Sequence, residues 1–201
     1  MTKILLPAAV ILVALAHGQT ADDTHSRQIK NTSFVTASGE RVLRHEVVVN
    51  AGLPEVWNAL TTSEGLMSFM APMVRVELKT GGAFESNYRV GSKPGDPDNI
   101  HNQVLSYVPM EMFSIKVGLT KQFPQRPREA GTLFSVLNFQ DFGDRHVRVT
   151  ESMLGWGEGA DWNQVYELFN RGNAYTLGQL ARRFDQGPIV WGEKEKSNDH
   201  R

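Results

Sequence analysis

Residues 160–186 read ADWNQVYELFNRGNAYTLGQLARRFDQ, and this stretch decides the fold because it predicts the longest helix of the chain. Large apolar side chains and one amide recur in it every three or four residues and therefore share one helix face: Trp162, Tyr166, Phe169, Asn173, Leu177, Leu180 and Phe184. Gly187 and Pro188 end the helix. A helix of this length with one apolar face needs a large apolar surface to lie against.

The sequence before this helix predicts a run of strands. Two short helices, beginning at Pro54 and Ser63, follow the first strand, and no further helix is predicted before the terminal one. Strands that follow one another directly form an antiparallel meander. We therefore expect an α+β fold with a curved antiparallel sheet of about six to seven strands and the long C-terminal helix over it. The predicted strands are 42–50, 74–78, 84–90, 100–108, 112–119, 132–139 and 146–154, and the β-forming residues at 32–37 favour a further short strand.

Composition limits the classes of function. The chain has 201 residues, of which 40% are hydrophobic and 21% charged, as in an ordinary globular domain. A formal net charge of -1 without a basic patch gives no reason to expect a nucleic-acid partner. The chain has no cysteine, which excludes disulfides, thiolate catalysis and cysteine-based zinc sites.

The N-terminus predicts export. Lys3 precedes an apolar run over residues 4–16, which ends in Ala14-Leu15-Ala16, the plan of a signal peptide cleaved near Ala16. We expect a periplasmic or secreted protein with no membrane insertion after cleavage, because the apolar run is too short to span a bilayer. Residues 17–40 are predicted to be a polar linker, 41–188 the folded domain, and 189–201 a charged tail, in which residues 193–201 are expected to lack fixed structure.

Four stretches together resemble a known superfamily. Their order is that of the helix-grip fold of the START-like, or SRPBCC, superfamily, and the local sequence looks closest to its polyketide-cyclase-like and chaperone-ATPase-activator-homologue branches. The stretches are AGLPEVW at 51–57 after a strand, VRVEL at 74–78 with GGAF at 81–84, VLSYVP at 104–109, and 150–162 leading into the terminal helix.

The resemblance implies a deep cavity between the long helix and the sheet. Relatives use this cavity to carry lipids, hormones or polyketides, and a minority carry out chemistry there. They share no general catalytic motif, so the resemblance identifies no catalytic residue and implies no cofactor. Co-chaperone activation is not expected of a chain that is predicted to leave the cytosol.

Aromatic and methionine side chains are the candidate ligand contacts, because they offer apolar surface that adapts to its occupant. For each of them taken alone a filled core is favoured, whereas the resemblance favours a cavity for the set. Tyr88, Tyr166 and Asn173 are the expected polar contacts. The full candidate set is Trp57, Met70, Phe84, Tyr88, Phe134, Trp162, Tyr166, Phe169 and Asn173.

Metal-binding and acid–base groups give a weaker signal. His45, His101 and His146 lack the spacing of metal ligands, and the acidic residues at 96 and 98 sit in a Pro/Gly loop that favours turn formers. No metal site is therefore predicted. Glu151 is interpreted as a solvent-facing strand residue, although a buried carboxyl group there would be suited to acid–base chemistry.

Three hypotheses follow for the function. The first is a binding protein for a small hydrophobic molecule, and the second is a cyclase- or hydrolase-like enzyme that uses the same cavity. The third is a protein-interaction module with a filled core. A titratable group inside the cavity favours the enzyme, and an interior packed solid favours the interaction module.

Overall fold

The computed structural model of the chain describes residues 29–121 and 123–192. The predicted signal peptide, most of the predicted linker and the tail from residue 193 lie outside the described residues. No helix in the described part of the chain is long and apolar enough to cross a membrane.

The described residues form one antiparallel sheet with four helices. The strands are β1 Lys30–Asn31, β2 Phe34–Val35, β3 Arg41–Val49, β4 Met73–Val76, β5 Ala83–Asn87, β6 Ile100–Val108, β7 Met112–Lys116, β8 Phe134–Asp141 and β9 Val147–Leu154. Their spatial order is β1-β3-β9-β8-β7-β6-β5-β4, and β2 also pairs with β3. The α+β fold expected from the sequence is confirmed.

The two shortest strands were only partly anticipated. Seven strands correspond to the predicted ones, and β1 and β2 raise the number to nine. Lys30 of β1 pairs with Glu46, and Phe34 of β2 pairs with Val42. The last part of the predicted linker is therefore bound to β3 along most of that strand's length.

The helices are α1 Leu53–Thr61, α2 Ser63–Met67, α3 Gln125–Ala130 and α4 Ala160–Gln186. At the start of α1, the Glu55 carboxylate accepts a hydrogen bond from the Gly52 N–H at 2.8 Å. At the start of α2, the Thr62 hydroxyl accepts one from the Gly65 N–H at 3.0 Å. The helix α3 was not predicted; it lies in the segment expected to be a loop and ends at Gly131, whose φ is +54°.

The buried residues of β9 define which face of the sheet α4 covers. Val147, Val149 and Met153 alternate along β9 and are fully buried. Val147 and Val149 share a core cluster with Leu177 and Leu180 of α4. We call this side of the sheet the inner face and the opposite side the outer face. Residues paired across antiparallel strands point to the same side, so the register assigns the inner-face residues of the neighbouring strands as well.

Two separate apolar clusters cover the inner face. The larger contains α1, α2 and the end of α4, with Trp57, Phe69 and Phe113 among its buried members. The smaller contains the start of α4 at Trp162, together with Leu133 and neighbouring apolar residues. The helix α4 packs chiefly against β3, and α2 against β4. The inner face of β7 and β8 therefore keeps solvent-accessible apolar surface at Ile115 and Leu137.

The chain after α4 folds back onto α2. The Ile189 N–H donates to the Ser68 carbonyl oxygen at 2.8 Å, and the Trp191 Nε1–H donates to the Met67 carbonyl oxygen at 2.5 Å. Arg183 of α4 donates to the Ser68 hydroxyl at 2.7 Å. Two backbone carbonyls at the end of α2 therefore bind residues 189–192, the start of the predicted tail.

Candidate functional site

Glu151 lies in the middle of the inner face. On β9 it stands between Val149, a member of the larger cluster, and Met153, a member of the smaller one. Its Oε1 accepts a hydrogen bond from the Ser135 hydroxyl at 2.9 Å. Burial raises the pKa of Glu151 to about 7, and the Ser135 hydrogen bond offsets part of that rise. The expectation of a solvent-facing strand residue is wrong, because the alternation of β9 turns this side chain inward.

His45 lies directly opposite Glu151. The register of β3 and β9 pairs the two residues, so their side chains share the inner face. His45 is 2% exposed, and this burial lowers the pKa of its imidazole, with a smaller opposing effect from a hydrogen bond to Asn170. Its Nδ1 is buried without a hydrogen-bond partner. In a neutral imidazole whose other nitrogen donates to Asn170, this Nδ1 is an acceptor that lacks a donor.

Asn170 connects α4 to the sheet at this point. Its side-chain oxygen accepts a hydrogen bond from the Asn31 amide of β1 at 2.9 Å, in addition to its bond with His45. One turn later, the Asn173 amide donates to the Met153 sulfur at 3.1 Å. The amide-bearing side of α4 is thus fixed over β3 and β9, next to Glu151.

Tyr88 approaches the same region from the opposite half of the sheet. It follows β5, which ends at Asn87 rather than at the predicted Val90 because the Asn87 side-chain oxygen accepts the Arg89 N–H at 2.9 Å. Tyr88 is 59% exposed, yet burial raises the pKa of its hydroxyl and the Glu151 carboxylate raises it further. The effect of Glu151 on this pKa means that the two side chains approach each other across the inner face.

We call this partly exposed region of the inner face the groove and define it by Tyr88, Ile115, Leu137 and Glu151. Ile115 and Leu137 are partly buried against the larger cluster. Leu137 pairs with Glu151 across β8 and β9, and Ile115 pairs with Ser135 across β7 and β8. All four groove residues keep some accessible surface although they lie on the inner face. The groove therefore combines apolar walls with one carboxyl group and one phenol.

Four aromatic rings pack together where the first turns of α4 approach the segment before α3. Phe123 stacks on Phe169 at 5.7 Å between ring centroids, and Trp156 meets Tyr166 edge-on at 4.8 Å. The Arg41 guanidinium lies 4.1 Å from the centroid of the Tyr166 ring. The structure thus brings Tyr166 and Phe169 together, with Phe123 and Trp156 as neighbours that the sequence analysis had not included in the candidate set.

The other candidate residues are divided between the core and the outer face. Trp57, Phe84, Trp162 and Asn173 are buried, and Met70 is partly buried against the larger cluster. Phe134 was expected to face inward, but its neighbour Ser135 pairs with the buried Met153 and takes the inner position. Phe134 therefore lies on the outer face, and the nine candidates do not form a single pocket.

Sequence reasoning missed Ser135 and Glu151 as members of the site. The sequence does contain a signal for Glu151, because this residue occupies one position in an alternating series of otherwise apolar residues. The series is Val147, Val149, Glu151 and Met153. A carboxylate in the position of an apolar residue in such a series points to a buried polar group. The alternation of β3 puts His45 on the face of Val47 and Val49, but its partner across the sheet cannot be identified without the register.

The acidic loop after β5 has a structural role. Asp96 accepts a hydrogen bond from the Lys93 N–H, and Asn99 donates to the buried Glu85 carboxylate at 2.6 Å. Among the described residues, no group of three or more His, Asp or Glu is placed to hold a metal ion.

The architecture defines the class of protein. A curved antiparallel sheet, two short helices after its first long strand, and a terminal helix across the inner face make up the helix-grip fold of the SRPBCC, or START-like, superfamily. Within it, residues 50–185 match the sequence model described as Activator of Hsp90 ATPase homolog 1-like protein, and the chain belongs to that family.

Solved structures with the same fold have low sequence identity to the chain. EF2215 from Enterococcus faecalis, titled a conserved protein of unknown function, is 12% identical with a TM-score of 0.58 over 80% of each chain. CalU16 from Micromonospora echinospora is 16% identical with a TM-score of 0.55, over 82% of this chain and 87% of that one. The Aha1 dimer from Colwellia psychrerythraea is 16% identical with a TM-score of 0.56, over 73% of this chain and 97% of that one. A search among curated proteins gives no match.

Proposed function

We propose that the protein binds a small hydrophobic molecule, lipid-, sterol- or polyketide-like, in the groove between α4 and the sheet. The observation that carries this proposal is the accessible apolar surface of Ile115 and Leu137 on the inner face. An interior packed solid would bury both side chains, as it buries Phe113 on the same face of β7. Release of water from these walls and from the ligand would drive binding.

Polar groups at the groove would orient the ligand. Tyr88 joins a large apolar ring to one hydroxyl, and Glu151 adds a carboxyl group within electrostatic range of that hydroxyl. A binding site with apolar walls and a few convergent polar groups is the common form of small-molecule sites. The helix-grip fold supports the proposal at the level of the superfamily only.

A cyclase- or hydrolase-like enzyme is the second candidate function, and Glu151 is the observation that favours it. A carboxyl group with a pKa of about 7 exchanges protons readily near neutral pH, which suits a general acid or base. The test is incubation of a bound ligand with the wild-type protein and with Glu151→Gln. Conversion of the ligand by the wild type alone would establish the enzyme, and recovery of the unchanged ligand from both would exclude it for that ligand.

We also propose that the protein acts outside the cytosol. The charged Lys3, the apolar run over 4–16 and the small residues Ala14 and Ala16 support a cleaved signal peptide. N-terminal sequencing of the protein from fractionated cells should find a chain that begins near residue 17 in the exported fraction. A chain that begins at Met1 in the cytosolic fraction would contradict export without affecting the groove.

Native mass spectrometry of the protein purified from its own cells tests the binding proposal. We expect one apolar molecule per chain that survives gentle ionisation and is released on unfolding. If the protein has only its sequence mass, and adding a mixture of lipids and sterols forms no complex, the proposal is wrong.

A further inference from the structure

The carboxyl group of the groove has no cationic partner in the protein. Within the described ranges, Glu151 forms no ion pair, and its hydrogen bond comes from the neutral hydroxyl of Ser135. The titratable side chains around it are His45 from β3 and Tyr88 after β5. The helix α4 contributes neutral amides, Asn170 on His45 and Asn173 on Met153.

The nearby cationic side chains lie on the outer face or interact with groups other than Glu151. Arg44, Lys116 and Arg148 alternate with inner-face residues and therefore lie on the outer face. Arg41 is held at the start of β3, where it donates to Asn163 at 2.7 Å and covers the Tyr166 ring. Arg183 is held at α2 by the Ser68 hydroxyl. Among the described residues, no cation forms an ion pair with Glu151 or contributes to the shift of its pKa.

Around His45 and Glu151, hydrogen-bond acceptors outnumber donors. His45 Nδ1 is buried with no donor, and only Oε1 of Glu151 receives a hydrogen bond from a described side chain. The two residues lie opposite each other on the inner face. The His45 acceptor is too buried for a groove ligand to reach, whereas Glu151 is partly accessible. A carboxylate without a counter-charge is costly, and a ligand that donates hydrogen bonds and carries positive charge would offset this cost.

We propose that the ligand of the groove is an amphiphilic amine, whose protonated nitrogen pairs with Glu151 while its apolar body lies against Ile115 and Leu137. This inference rests on the proposed binding function and specifies the head group. A primary ammonium has three N–H donors, enough for the free oxygen of Glu151 and the hydroxyl of Tyr88. A fatty acid would place a second carboxylate beside Glu151 and is disfavoured.

Displacement of a neutral fluorescent probe by three matched amphiphiles tests the head group. Dodecylamine, dodecanol and dodecanoate share one chain and differ in charge, and each is used below its micelle concentration. At about pH 8, where the amine is protonated and Glu151 is ionised, we expect dodecylamine to displace the probe at a concentration about tenfold lower than dodecanol. Dodecanoate should be the weakest of the three.

Two comparisons attribute the preference to Glu151. In Glu151→Gln, dodecylamine and dodecanol should displace the probe at the same concentration. The matched variant Glu46→Gln, on the outer face of β3, should keep the wild-type ratio of the two concentrations. In the wild type, lowering the pH to about 5.5 should remove most of the preference because Glu151 becomes protonated, while dodecanol binding stays constant. This pH series uses no variant and is independent of how the variants fold.

Each outcome decides the matter. Equal displacement by amine and alcohol, stronger displacement by dodecanoate, or an amine preference that persists in Glu151→Gln would overturn the amine inference and leave the groove as a binding site. If neither the neutral probe nor any of the three amphiphiles binds the wild type, the proposed binding function itself is overturned.

Discussion

His45 and Glu151 form a directly opposed pair across β3 and β9, between the two apolar clusters of the inner face. Burial disfavours the charged form of both side chains, lowering the pKa of His45 and raising that of Glu151. An apolar pair at these positions would serve the fold better, because the flanking positions hold Leu43, Val47, Val149 and Met153. Polar residues that oppose stability in this way are typical of functional sites.

The stability of the protein should depend on the ionisation of Glu151. Its pKa in the folded protein, about 7, is above the ordinary value of 4.5, so the folded state holds a proton that the unfolded state has released between these pH values. Stability should therefore fall as pH rises through this window and then level off. Glu151→Gln should remove this pH-dependent loss of stability. At about pH 8 it should raise the free energy of unfolding by at most about 3 kcal/mol.

Urea denaturation of the wild type and Glu151→Gln at a series of pH values measures this effect. The two proteins should converge below about pH 3.5, where the carboxyl group is protonated in both the folded and the unfolded state. Glu46→Gln, on the outer face, is the control; it loses a partly exposed ion pair with Arg148 and should change stability by about 1 kcal/mol or less. A Glu151→Gln variant less stable than the wild type at about pH 8 would show that the ionised carboxylate contributes to stability.

Asn170→Ala should destabilise the fold through His45. Loss of the amide oxygen leaves the buried imidazole N–H without an acceptor and also removes the bond to Asn31, at a cost of about 1–3 kcal/mol. Asn163→Ala, on the same helix, loses only an exposed bond to Arg41 and should change stability by about 0.5 kcal/mol or less. Equal effects of the two substitutions in urea denaturation would contradict the role given to Asn170.

Gly157→Ala should destabilise the entry of α4. An added Cβ would lie 2.2 Å from Nε1 of the buried Trp162 ring, which belongs to the smaller cluster. Overpacking of this kind costs about 1–3 kcal/mol. Gly172→Ala, in the exposed middle of α4 with open space around it, should instead stabilise by about 0.5–1 kcal/mol. Thermal unfolding should shift in opposite directions for the two variants, and a shift in the same direction would contradict the packing described here.

Trp191→Ala should weaken the attachment of the C-terminal segment to α2. The substitution removes the indole hydrogen bond to the Met67 carbonyl and partly buried aromatic surface, at a cost of about 1–2 kcal/mol. Val190→Ala is the control, because Val190 is 65% exposed. Amide exchange at Ile189, whose N–H bonds to Ser68, should accelerate in Trp191→Ala alone. Unchanged exchange would mean that Trp191 does not hold this segment.

Much of the fold could be predicted because its longest elements carry a strong periodic pattern. The bounds of α4 and β6 are those expected from the sequence. The β-forming residues at 32–37 indicate β2, but β1 could not be distinguished from the linker, because a two-residue strand has no period and exists only through pairing with β3. The same holds for residues 189–192, which are ordered by carbonyl groups of α2 distant in sequence.

The site was less predictable than the fold. Alternation divides the residues of β8 between two faces but does not show which face is the inner one. Ser135 rather than Phe134 is assigned to the inner face because Ser135 pairs with Met153. Large aromatic residues such as Trp57 and Trp162 filled the core, where apolar area is most stabilising. Smaller apolar side chains and Glu151 line the groove instead. The role of Glu151 depends on its neighbours from other strands.

The central claim is that the groove is open and takes an apolar ligand, and filling it is the most direct test. Leu137→Trp places a larger side chain in the groove, and Val136→Trp places the same side chain on the outer face of the same strand. Titration with a neutral fluorescent probe should show binding to the wild type and Val136→Trp, and loss of binding in Leu137→Trp with an unchanged urea midpoint. Equal probe binding by all three proteins would contradict the claim, as would a wild type that binds no probe.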